Sequence, residues 1–153
     1  MRAVIQRVTS SSVAVDGKTV GEINKGYTVL LGVVEGDTQS EAELLARKTA
    51  LLRVFEDENG KMNLSVLDID GEILAISQFT LCADTKKGNR PSFTPAAEPN
   101  EADRLYEIYC EQLKANGVRK VEKGVFGADM KVSLVNDGPV TICLDTDTWS
   151  KQK

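Results

Sequence analysis

Three short segments hold more polar and special-purpose residues than a turn or strand needs: Ser77 to Leu81 (SQFTL), Gly124 to Met130 (GVFGADM) and Asn136 to Thr141 (NDGPVT). Ser77, Gln78, Phe79 and Thr80 follow an apolar run, where a buried strand would leave its sheet and free its backbone N–H groups for a ligand. The plainer reading is a strand end whose hydroxyls and amide satisfy local backbone. Phe126 stands between Gly124 and Gly127, with Met130 at the start of the next strand pattern. Such a pair can sandwich a nucleobase, at roughly 1 to 3 kcal/mol per stacked base, or can be a core Phe under a glycine turn. Asp137-Gly138 between two strand patterns is a hairpin signal, with Pro139 at a strand start where its missing donor costs little. Gly before Pro leaves two adjacent carbonyls with a single N–H. A cis bond would let those carbonyls point the same way, although only about 5–6% of X–Pro bonds in folded proteins are cis.

What surrounds these segments restricts the chemistry. The chain contains no histidine, which removes the commonest general base and the commonest metal ligand together. Triads of serine, threonine or cysteine built on histidine are excluded, and no histidine can activate the Thr80 hydroxyl. The three cysteines, Cys82, Cys110 and Cys143, lack the close spacing of zinc or redox motifs and read as buried small apolar residues. No metal or other cofactor is expected. A net charge of −4 and a pI near 5.0 argue against non-specific gripping of nucleic-acid backbone, but not against contact with a short single-stranded end. At 153 residues the chain reads as one domain, 1–153. Arg7 interrupts any secretory apolar stretch and no run is long enough to span a bilayer, so a cytoplasmic protein with no membrane partner is expected.

The elements that must position these residues follow from periodicity. The first residues alternate, with Val4, Gln6 and Val8 on one face and Ala3, Ile5 and Arg7 on the other. Ser12 to Val15, the turn Asp16-Gly17, and Thr19 to Ile23 form a hairpin. Tyr27 to Val34 and Glu72 to Phe79 are buried strands. Ser40 is expected to cap a helix that ends near Arg53, with Leu44, Leu45, Leu51 and Leu52 as its apolar stripe. Glu56 to Lys61 is a charged turn centred on Asn59-Gly60. From Cys82 to Pro99, with prolines at 91, 95 and 99, the chain reads as a long ordered loop, and such loops are often functional. Asn100 is expected to cap a second helix that buries Ala102, Leu105, Tyr109 and Leu113, places Tyr106 in a core or interface, and stops at Gly117. Arg119 to Lys123, Met130 to Val135 and Val140 to Leu144 are the last strands. The order predicts an α/β fold: a three-layer α/β/β single domain with mixed sheets and two main helices.

Taken together, the three segments, the RAVIQRV start and the KGNRPSF loop resemble the D-aminoacyl-tRNA deacylase family from Met1 to about Asp145. The resemblance does not reach the tail from Thr146 to Lys153. The resemblance implies a homodimeric hydrolase that cleaves the ester joining a D-amino acid or glycine to the 3′ end of tRNA. It implies a cis Gly138-Pro139 bond, inserted from one subunit into the partner's pocket and held by Arg7. By the same resemblance, Phe126 and Met130 take the terminal adenosine and Ser77, Gln78, Phe79 and Thr80 form the catalytic edge, with the substrate's ribose hydroxyl assisting. A related subfamily that prefers L-alanine carries a Pro-Gln-type segment where this chain has Ser77-Gln78, which places this chain with the D-specific branch. The competing classes are a module that binds a nucleotide or free D-amino acid without catalysis, and a structural dimer with no ligand.

Overall fold

The computed structural model describes residues 1–150; residues 151–153, the end of the tail that the resemblance does not reach, lie outside the described residues. Strand β1 (Arg2–Val15) is the spine of the fold. Its first half pairs antiparallel with β3 (Gly26–Gly32) and its second half with β2 (Lys18–Ile23), through a tight turn in which Asp16 and Gly17 both have positive φ. Two such residues give the turn that matches strand twist, which is why Asp-Gly stands there. Helix α1 (Gln39–Leu51) follows β3, then a small hairpin of β4 (Phe55–Glu56) and β5 (Met62–Leu64) around Asn59-Gly60. Next come β6 (Glu72–Ser77), parallel to β3, a 3-10 turn over Phe79–Cys82, and helix α2 (Pro99–Ala115). Strand β7 (Lys120–Lys123) runs parallel to β6, β8 (Lys131–Asp145) pairs antiparallel along nearly all of β1, and a short α3 (Asp147–Ser150) ends the described chain.

The three-layer α/β/β arrangement holds, as a mixed α/β fold whose bent sheet curls toward a barrel. One core lies between the sheet and helices α1 and α2, built from Ala3, Ile5, Tyr27, Val29, Leu45 and Leu105 among others. The second fills the bend of the sheet with Val8, Val13, Ile23, Leu74 and Ile76. Alternation explains the split: in β6, Ile73 and Ala75 face the helices while Leu74 and Ile76 face the bend. Tyr27, Tyr106 and Tyr109 are fully buried, and each hydroxyl is satisfied by Leu52 O, Ala75 O and Thr49 Oγ1 respectively. Burial pushes all three phenols well above their ordinary pKa, so they act as neutral props.

Several expectations are corrected. Thr38, not Ser40, caps α1: its hydroxyl accepts from Ser40 N while Glu41 accepts from Thr38 N, a reciprocal pair that Ser40 cannot make. The buried face of α1 is Ala42, Leu45, Ala46, Thr49 and Ala50, whereas Leu51 is exposed; small residues let α1 lie against α2. Glu98, not Asn100, caps α2, because its carboxylate reaches the N–H groups of Asn100 and Glu101 and Pro99 suits the first helical position. Cys82 and Cys110 are buried, with the Cys110 thiol pushed up to about 12 by burial, but Cys143 is exposed on β8. Met130–Val135 and Val140–Leu144 are not the arms of a hairpin. From Lys131 onward both runs belong to β8, whose two halves pair with the same strand, β1.

Candidate functional site

A cavity of about 480 Å³ opens where β3 and β6 run out. Such a position follows from the parallel β3–β6 pair, since backbone groups at the carboxyl ends of parallel strands lose their ladder partners. Ser77 ends β6 opposite Leu31, and Gln78 N still donates to Leu31 O at 2.7 Å. Beyond it the chain tightens into the 3-10 turn, with Leu81 N on Gln78 O. The N–H groups of Phe79 and Thr80 open that turn and have no acceptor inside it. The Gln78 side-chain amide donates to Thr80 Oγ1. Arg2, which the sequence did not single out, fixes the turn from below by donating Nη1 to Leu81 O at 3.0 Å.

Ser77, Gln78 and Phe79 line the cavity; Thr80 is exposed on its rim, tied to Gln78. Phe126 and Met130 line the facing wall, both partly buried against the two cores. Gly124 makes room for Met130: a Cβ there would stand 2.5 Å from Met130 Sδ. The remaining wall comes from Ala96, Ala97 and Pro99, and sequence reasoning missed these residues. They are held by Ala97 N on Val33 O and Glu35 N on Pro95 O. The only signal for them was the length of the proline-bearing loop. The walls are chiefly apolar, with polar atoms gathered at Ser77 and Gln78, and Asp129 is the one ionisable residue in the lining. An arrangement of this kind holds a flat apolar group between Phe126 and Met130 and presents a polar edge to whatever is attached to it.

Arg7, Gly138 and Pro139 are elsewhere. Between Gln6↔Thr141 and Val8↔Asn136 the β1–β8 ladder skips, leaving Asp137, Gly138, Pro139 and Val140 as an excursion opposite Arg7. Asn136 closes it at the base, its Oδ1 accepting from Val140 N. The buried Arg7 guanidinium donates Nε to Asp137 O at 3.0 Å and Nη1 to Val54 O at 2.7 Å. The Gly138-Pro139 peptide is cis, and Gly138 has φ +124°, with a hypothetical Cβ only 2.8 Å from Arg7 Nη2. Both Gly138 and Pro139 are exposed, and neither lines the cavity of its own chain. Along the strands, Arg7 faces Tyr27 while Ser77 faces Leu31, a separation of about 13 Å at 3.3 Å per residue, with two inter-strand spacings of about 4.8 Å between β1 and β6 and a third between β8 and β1. Among the described residues no cluster of three or more His, Cys, Asp or Glu side chains could hold a metal ion, and no helix is long and apolar enough to cross a membrane.

The comparisons agree on one group of proteins. Residues 4–145 match the family model described as D-Tyr-tRNA(Tyr) deacylase. The chain is 58% identical over 146 residues to the D-aminoacyl-tRNA deacylase of Koribacter versatilis (strain Ellin345), covering 95% of this chain and 97% of the relative. It is 55% identical over 150 residues to the D-aminoacyl-tRNA deacylase of Geobacter sulfurreducens, covering 98% of each. Among solved structures, the c-Myc DNA unwinding element binding protein superposes with a TM-score of 0.89 at 48% identity, over 95% of this chain and 98% of that one.

Proposed function

The chain belongs to the D-Tyr-tRNA(Tyr) deacylase family, and from that premise we propose that it hydrolyses the ester of D-aminoacyl-tRNA, with the cavity at the end of β3 and β6 as the site. The observation that carries the reading is the pairing, in one cavity, of an apolar slot at Phe126 and Met130 with a polar strand exit at Ser77 and Gln78. The terminal adenine stacks in the slot, which places its ribose and the ester at the strand exit. The carbonyl oxygen then faces the N–H groups of Phe79 and Thr80, which stabilise the negative charge it gains when water adds. As the tetrahedral intermediate collapses, the ester C–O bond breaks and the ribose oxygen recovers a proton. No histidine exists to carry that proton; the neighbouring ribose hydroxyl of the substrate, held close by the stacked base, supplies the relay. Proximity of this kind contributes several kcal/mol.

Chirality enters through a second copy of the chain. Gly138 and Pro139 are solvent-exposed and outside their own cavity, and we place them in the partner's, where their carbonyls accept the substrate's amine. A D-aminoacyl group anchored so points its side chain outward, whereas an L-aminoacyl group drives its β-carbon into the carbonyl wall, so rejection is steric. Glycine has no β-carbon and passes. The test is release of amino acid from D-tyrosyl-, L-tyrosyl- and glycyl-tRNA by the purified protein: the D and glycyl esters are expected to be cleaved and the L ester spared. Equal rates on the D and L esters would remove the chirality argument. A second reading, binding without catalysis, is favoured by the similarity to a protein named for binding a DNA unwinding element; tight tRNA binding with no release of any of the three amino acids would support it instead.

A further inference from the structure

The KGNRPSF loop plays no part in the chemistry above, yet it stands at the mouth of the cavity. Asp84 and Ser92 exchange backbone hydrogen bonds at 2.7 and 2.9 Å, closing the segment between them into a small projecting loop. Its base is fixed to the site: the Phe93 ring meets Phe79 edge-on at 5.1 Å between centroids, and the chain runs directly from there into the wall residues Ala96 and Ala97. The tip carries Lys86, Lys87 and Arg90, all exposed. None of the three has a side-chain partner among the described residues, and the nearby Asp84 carboxylate is occupied by Lys86 N. The loop is therefore cationic in a chain of net charge −4. The cations around the end of α1 and on β7 differ: Lys48 lies over Trp149, Arg53 is bound to Asn63, and Lys120 and Lys123 are paired with Glu72 and Glu107.

We infer that Lys86, Lys87 and Arg90 form a phosphate-binding clamp for the single-stranded end of the tRNA, engaging the backbone just before the nucleotide that enters the cavity. The inference rests on the reading that the cavity takes a tRNA 3′ end. The reasoning is electrostatic: unpaired exposed cations beside a slot for a terminal base meet the phosphates that precede that base, and each neutralised phosphate releases counterions. Such a clamp also accounts for how an acidic protein holds an anionic substrate without a general basic surface. Contacts to phosphate fix position and carry no sequence information, so the clamp suits an enzyme that acts on many tRNAs.

The decisive measurement is binding of uncharged tRNA, by fluorescence anisotropy at 50 to 200 mM salt, to the wild type and to a variant carrying Lys86→Gln, Lys87→Gln and Arg90→Gln. A control variant, Lys18→Gln, Arg47→Gln and Lys61→Gln, makes the same change of charge elsewhere. Three single-strand phosphate contacts correspond to a slope of about 2 in log affinity against log salt, so over this range the wild type is expected to lose roughly 20-fold more affinity than the loop variant. The control is expected to keep the wild-type slope. A loop variant with the wild-type slope, a control that flattens it equally, or a wild type that binds no tRNA would each overturn the clamp. Hydrolysis of D-tyrosyl-tRNA, measured in parallel, judges the enzymatic reading by itself: a protein that binds through the loop but cleaves nothing loses its proposed activity and keeps its clamp.

Discussion

The Thr80 hydroxyl stands on the rim of the cavity, and its side chain is engaged by the Gln78 amide rather than by any base. With no histidine in the chain, a threonine hydroxyl stays protonated at neutral pH and makes a poor nucleophile. Thr80→Ala is therefore expected to keep turnover within about tenfold of wild type, the scale of one lost hydrogen bond. Mass spectrometry of a rapidly quenched reaction should show no acyl group on Thr80, and a trapped acyl-enzyme there would overturn the water mechanism. Phe126 belongs to a different part of the reaction, since its ring faces the cavity across from the strand exit. Phe126→Ala is expected to weaken tRNA binding by about 1 to 3 kcal/mol, with the loss in KM more than in kcat, if the ring stacks on the terminal base. Cys110 offers no alternative nucleophile, because its buried thiol is held protonated at neutral pH.

At the scale of elements, β8 carries the feature that is hardest to read from sequence. Asn-Asp-Gly-Pro has the turn residues of a hairpin, and the two flanking runs have strand alternation, so local chemistry predicts a reversal. The chain instead bulges by the four residues 137–140 and resumes pairing with β1. What decides between the two is the partner of each half, a long-range fact that no window of residues contains. Arg7 makes the bulge possible by giving its free carbonyl a buried donor. Gly138→Ala is expected to destabilise the protein by about 1 to 3 kcal/mol, because an L side chain is strained at φ +124° and its Cβ would collide with Arg7 Nη2. Urea unfolding measures that loss, and an unchanged midpoint would show that Arg7 yields without consequence. The elements that were legible are those set by burial: β3 and β6 as apolar runs, and α2 by its stripe. The caps were displaced by two residues because Thr38 and Ser40, like Glu98 and Asn100, are all able to cap, and only geometry selects one. Likewise the polar strand exit at Ser77 and the aromatic at Phe126 stood out by type, whereas Ala96 and Ala97 became walls only through the backbone bonds that lay their loop along Val33.

For the whole molecule, the bent sheet places the bulge and the cavity at opposite ends of β3, so one chain cannot bring Gly138 to its own Ser77 without breaking the β1–β3 ladder. Two copies can. β8 is an edge strand that exposes Val132 and Val135, and edge strands with apolar residues are natural pairing surfaces. Sedimentation is accordingly expected to give a mass near twice 16.7 kDa, and full activity in a strictly monomeric sample would refute the shared site. A dimer alone does not prove that the bulge works in the other subunit, but mixing two damaged chains does. Phe126→Ala spoils the pocket and leaves the bulge intact; Gly138→Ala does the reverse. Each homodimer has two defective sites. A mixed dimer has one site that combines the intact pocket of one chain with the intact bulge of the other, and one site carrying both defects. Random exchange makes half of the dimers mixed, so the mixture is expected to recover about a quarter of wild-type activity at low tRNA concentration, whereas a bulge acting on its own chain's pocket gives no recovery. Tagging the two variants and isolating the mixed dimer sharpens the readout to about half of wild type. Activity in the isolated mixed dimer no higher than the mean of the two homodimers would place the bulge's action within its own chain.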